Sequence, residues 1–77
     1  MTIRVRYFAS LRERFGCSEA AAEWRAGMTA AEVWAEATQG AALPPQVMIA
    51  INLDYASADS LVRDRDEVAF LPPITGG

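Results

Sequence analysis

The sequence predicts a two-layer α+β domain in which one mixed β-sheet lies against one main helix. Three observations carry this expectation. Residues 2–8 alternate apolar and polar with the period of two that marks a half-buried strand. One segment, residues 30–39, spaces its apolar residues as a helix does and opens on a capping signal. Two further apolar runs, 47–51 and 67–71, have strand length, and turn-forming residues lie between them.

In order along the chain, residues 2–8 put Ile3, Val5 and Tyr7 on one face and Thr2, Arg4, Arg6 and Phe8 on the other. One side of the sheet is therefore expected to meet water or a partner. Residues 9–15 read as a short helix with Leu11 and Phe15 turned to the core, stopped by Gly16. Cys17 follows in the turn, and a lone thiol with no cation fixed beside it reads as structural. Residues 19–25 form a weaker strand, anchored by Trp24 and disfavoured by its alanines. Residues 26–28 turn the chain. Thr29 and Glu32 make a capping box, each side chain accepting from an N–H that would otherwise lack a partner. The helix over 30–39 faces Val33, Trp34 and Ala37 inward and Glu32 and Glu36 outward, and Gly40 ends it. Residues 41–46, with Pro44 and Pro45, are a loop. Residues 47–51, the most apolar run, are a buried strand. Residues 52–55 reverse into a short edge strand, since Asn52 and Asp54 tolerate turn geometry. Residues 57–61 are expected to form one helical turn, and residues 63–66 a solvated charged turn. Residues 67–71 close the fold, with Val68 and Phe70 on one face and Ala69 and Leu71 on the other.

The order is β, short α, β, α, β, β, β, with the first two strands as a hairpin and the last parallel to the first at the centre of the sheet. That is the β-grasp, or ubiquitin-like, arrangement, and it occupies residues 1–71. Residues 72–77 form an extended tail. Pro72 and Pro73 fix φ and donate no hydrogen bond, so the sheet stops and the chain leaves it stiff. Six residues reach at most about 20 Å. Gly76 and Gly77 have no Cβ and tolerate close approach by another backbone. An α-carboxylate on Gly77 is expected to thread into a narrow site.

Seventy-seven residues, 52% of them hydrophobic, make one small globular domain. The net charge of −3 argues against a nucleic-acid partner and for a basic protein surface. One cysteine forms no internal disulfide, which fits a reducing compartment. No segment has the order of a signal peptide, and no apolar run approaches the roughly 20 residues that span a bilayer. The expectation is a cytoplasmic protein without a membrane partner. Histidine, a cysteine cluster, a phosphate-cradling glycine loop and a nucleophile paired with a base are all missing, so neither a metal site nor a self-sufficient active site is expected. All seven basic residues are arginine. Codon bias accounts for that, or else it leaves no side-chain amine to compete for an activated C-terminus.

Three stretches carry a family resemblance. These are Tyr7-Phe8-Ala9-Ser10-Leu11-Arg12-Glu13, Ala50-Ile51-Asn52, and the run from Asp66 through Leu71-Pro72-Pro73-Ile74-Thr75-Gly76-Gly77. With them the chain resembles the ubiquitin-like sulfur carriers of the MoaD/ThiS family, and within it the small subunits of molybdopterin synthase. Leu71 is a departure, since that position is often aromatic in the family. The resemblance implies that Gly77 is adenylated with ATP by an activating enzyme and converted to a thiocarboxylate. It also implies that sulfur passes to a cyclic pyranopterin monophosphate inside a large catalytic subunit, forming a dithiolene. The expected assembly is a heterotetramer of two small and two large subunits, with no cofactor bound to this chain and no catalysis by it alone. Gly76, Thr75, Pro73 and Pro72 would give the tail passage. Phe8, Arg12, Ala69, Leu71 and Ile74 would form the partner interface.

Strand alternation supports part of that interface independently, because Phe8 and Leu71 fall on the face away from Val5 and Phe70. If the first and last strands are neighbours, the two form an apolar patch beside the exit of the tail. Other readings of the same tail are a carrier for thiazole synthesis, a ubiquitin-like protein modifier, and an interaction module whose glycines are incidental. The Pro-Pro-Ile-Thr exit argues against the first.

Overall fold

The computed structural model describes residues 1–73. Its elements are β1 (Thr2–Tyr7), α1 (Ser10–Phe15), β2 (Glu19–Glu23), α2 (Ala30–Ala37), β3 (Met48–Ile51), β4 (Asp54–Ala56) and β5 (Glu67–Leu71). The five strands form one sheet in the order β2-β1-β5-β3-β4. β5 pairs parallel with β1, setting Val5 against Val68 and Tyr7 against Phe70. It pairs antiparallel with β3, setting Ile49 against Phe70 and Met48 against Leu71. The expected β-grasp topology is thus present, with the last strand at the centre.

The alternation of β1 sorts its residues as the sequence requires: Ile3, Val5 and Tyr7 are buried, while Thr2 and Arg4 are exposed. α2 covers the buried face of the sheet. Trp34 wedges between strands and α1, its ring 4.9 Å from Phe70 and 5.3 Å from Phe15, both edge-on. Its indole N–H donates to the Ala41 carbonyl at 3.0 Å, which satisfies the one polar atom that such burial would strand.

Several boundaries differ from expectation. β1 ends at Tyr7 because Ala9 takes a φ of 52°, although the Phe8 N–H still donates to the Phe70 carbonyl at 3.2 Å. β2 ends before Trp24, whose indole N–H donates to the Val62 carbonyl at 3.0 Å. α2 ends at Ala37, not Gln39. Gln39 takes the left-handed φ of 56° and the Gly40 N–H closes back on the Ala35 carbonyl at 2.8 Å, a Schellman ending. Val47 lies outside β3.

Residues 57–61 are not helical. Their carbonyls are used elsewhere: Ser60 accepts from the Ala30 N–H at 2.9 Å and Ala58 from the Ala31 N–H at 2.8 Å. Thr29 Oγ1 accepts from the Glu32 N–H at 3.3 Å, and the Thr29 carbonyl accepts from the Val33 N–H. All four leading donors of α2 are therefore satisfied.

Candidate functional site

The side of the sheet away from α2 is the open one, and the register assembles it residue by residue. Arg6 on β1 lies beside Ala69 on β5, which lies beside Ala50 on β3, which lies beside Tyr55 on β4. One step towards the end of β5, Leu71 lies beside Met48, and Phe8 continues β1 past the Tyr7–Phe70 pair. Phe8 and Leu71 are both half-buried. The Arg6 guanidinium sits 5.1 Å over the Phe8 ring, which puts Phe8 on the open side with it. Ala50 and Ala69 are only 9% and 7% exposed because the longer neighbours close over them. Tyr55, at 73%, stands proud at the edge. The result is an apolar face at the end of the sheet where β5 gives way to Pro72, half-buried, and Pro73, exposed.

At the other end of the same face the character changes to charge. Arg4 reaches Glu67 at 3.7 Å, a surface pair of small energetic weight. Arg12 is exposed on α1 and has no hydrogen bond or ion pair from its side chain among the described residues. Ile74, Thr75, Gly76 and Gly77 lie outside the described residues. Of the expected interface, Phe8, Ala69 and Leu71 are brought together on one face, while Arg12 stands apart from that register.

Sequence reasoning missed Met48, Ala50 and Tyr55 as members of this face. Their signal was present in the alternation of β3 and β4, but it takes meaning only once β3 is known to pair with β5. An open groove of about 610 Å³ adjoins the face at Met48 and Tyr55, walled by Leu43, Pro44 and Val47. Among the described residues no cluster of His, Cys, Asp or Glu is placed to hold a metal, and no helix is long and apolar enough to cross a membrane. Cys17 is exposed in the turn between α1 and β2.

The chain is similar to known proteins in both sequence and fold. The ThiS family model matches residues 5–77. A molybdopterin synthase sulfur carrier subunit from Escherichia coli is 38% identical over 97% of this chain and 99% of that protein. Two structures share the fold. One is the crystal structure of SAMP1 from Haloferax volcanii, with a TM-score of 0.80 at 20% identity and full coverage of both chains. The other is the solution structure of small archaeal modifier protein 1 from Methanosarcina acetivorans, with a TM-score of 0.77 at 24% identity, covering 99% of this chain and 96% of that one.

Proposed function

This chain belongs to the ThiS family, and on that premise we propose that it is the sulfur-carrying small subunit of a molybdopterin synthase, with its chemistry on Gly77. The observation that carries the reading is the delivery of the tail. β5 is held by ladders on both sides and runs into Pro72 and Pro73 beside the apolar face of Phe8, Ala69 and Leu71. A strand pinned at the sheet centre gives the tail a fixed origin. Two prolines reduce the conformational freedom that insertion must remove. Likeness to the E. coli sulfur carrier subunit over almost the whole chain supports the same reading.

In this scheme a carboxylate oxygen of Gly77 attacks the α-phosphorus of ATP on an activating enzyme, and pyrophosphate leaves. Hydrosulfide then displaces AMP from the acyl carbon, leaving a thiocarboxylate and a proton that passes to solvent. In the large subunit that sulfur attacks a cyclic pyranopterin monophosphate, water then cleaves the acyl–sulfur bond and returns Gly77 as a carboxylate, and two carriers supply the two dithiolene sulfurs. Gly76 lets the tail lie close to another backbone, and the large subunit supplies acid–base groups and pairs with the small one as a heterotetramer. The open face of Phe8, Ala69 and Leu71 docks on the partner, and Arg12 and Ile74 add contacts to it. The same activated Gly77 would serve conjugation to proteins. Intact mass of protein from its own cell separates the two, since a carrier shows oxygen replaced by sulfur on Gly77 and a modifier shows ladders of conjugates.

Adding one residue after Gly77 is expected to abolish thiocarboxylate formation with the fold unchanged by circular dichroism. An extended protein that still supports cofactor synthesis without being trimmed would end the proposal.

A further inference from the structure

Six of the seven arginines are exposed, and Arg6 alone is half-buried. It lies on the open face, between Glu19 on β2 and Ala69 on β5. Among the described residues the ion pairs are Arg4 with Glu67 at 3.7 Å and Arg25 with Glu32 at 3.3 Å. Arg6 has a carboxylate directly across the strands, on Glu19, and does not pair with it. Its guanidinium stacks instead 5.1 Å over the Phe8 ring, and its Nε is buried there without a hydrogen-bond partner.

That arrangement costs the free protein something. A charged donor shut away from water with no acceptor is worse than an unmade neutral hydrogen bond, and the stack on Phe8 offsets only part of the loss. What it provides is a planar cation already held in place among Phe8, Ala69 and Leu71. When a second protein covers such a face, water leaves it, and attraction between a guanidinium and a carboxylate grows as the local dielectric falls. Little side-chain freedom remains to be lost at that moment, because the stack has already fixed the fork.

On the docking reading given above, we infer that Arg6 is the charged centre of the open face and takes an aspartate or glutamate carboxylate of the large subunit. The outer guanidinium nitrogens donate to the carboxylate oxygens. A partner with a lysine or arginine at that point is repelled, and one with an apolar residue there leaves the guanidinium covered and unpaired. Arg6 therefore sets which large subunit is accepted, while the apolar neighbours supply contact area. The net charge of −3 favours a basic partner at long range, but the contact at Arg6 demands the opposite sign.

The test measures binding of the full chain to its large subunit by titration calorimetry, beside denaturant melts of the chain alone. Arg6→Met keeps an apolar stem and removes the charge. It is expected to weaken binding at least about ten-fold and to flatten the salt dependence. Its melt should be unchanged or shifted to higher denaturant, since a stranded donor is gone. Arg6→Lys keeps the charge without the planar fork and should fall between Arg6→Met and the parent. Arg6→Glu should bind at least about ten-fold more weakly than Arg6→Met, because two carboxylates then face each other. Arg4→Met removes a cation that Glu67 already pairs, and should change binding by no more than about two-fold. Equal binding by Arg6→Met and Arg6→Glu overturns the inference. So does parental affinity in Arg6→Met when Phe8→Ala is weakened, and the docking face then stands without it. Parental affinity in both Arg6→Met and Phe8→Ala removes the docking face itself, and the inference with it.

Discussion

Tyr7 ends β1 inside the aromatic cluster of Phe15, Trp34 and Phe70, and its hydroxyl is buried without a hydrogen-bond partner. Burial pushes the phenol above its usual pKa, and the Cys17 charge adds to the effect. A raised folded pKa means that the neutral form is favoured in the fold. That contribution is whole below the unfolded value near 10 and is lost as pH climbs through the higher folded value. Tyr7→Phe removes the stranded hydroxyl while keeping the ring, so urea melts at neutral pH should show unchanged stability or a gain of up to about 1 kcal/mol. Melts above pH 10 should show a smaller alkaline loss than in the parent. A clear destabilisation at neutral pH would mean that the hydroxyl has a partner. The burial of Tyr7 was legible, because alternation alone assigns it to the core. That of Met28 was not. It reads as a turn residue, yet it is fully buried, held where its carbonyl accepts from the Val62 N–H at 2.9 Å, a contact with no local signal.

At the scale of the element, the start of α2 was legible because its capping box is complete within four residues. The Glu32 carboxylate accepts from the Thr29 N–H at 2.9 Å while the Thr29 hydroxyl accepts from the Glu32 N–H. Thr29→Ala should therefore cost about 1 kcal/mol in denaturant melts. Glu32 is held below the usual carboxylate range by the Thr29 backbone first, then the Thr29 hydroxyl, with Arg25 contributing less. A lowered folded pKa stabilises above the unfolded value and is lost as pH falls through the folded one. Glu32→Gln keeps the acceptor without the charge, so its stability should fall less than the parent's between pH 5 and pH 3. The segment 57–61 was misread because local propensity cannot reveal that its carbonyls are needed by a helix elsewhere. The open face of β1 and β5 gives the element's other test. Phe8→Ala should weaken binding to the large subunit by about 2–4 kcal/mol, or roughly 30- to 1,000-fold in Kd. Stability of the isolated protein should change by no more than about 1 kcal/mol, since the ring lies outside the core. A core role would instead cost about 3–5 kcal/mol of folding free energy and leave affinity intact.

For the whole molecule, topology was legible where it follows from order and pattern, because a final apolar strand beside an alternating first one has few other places to pair. The composition of the open face was less so, since it depends on which strand stands next to β5. That central position reaches beyond docking, into how the protein is made. Among the described residues β5 comes last in the chain, yet it is the one strand that pairs with both β1 and β3 and so joins β2-β1 to β3-β4 within the sheet. At about 5–20 residues per second, the sheet stays open between β1 and β3 until Leu71 has been added and freed. A chain broken off earlier leaves two strand pairs with no strand between them, and isolated pairs are at best marginally stable in water. The five-stranded sheet is therefore complete only in molecules whose synthesis has run as far as the root of the tail.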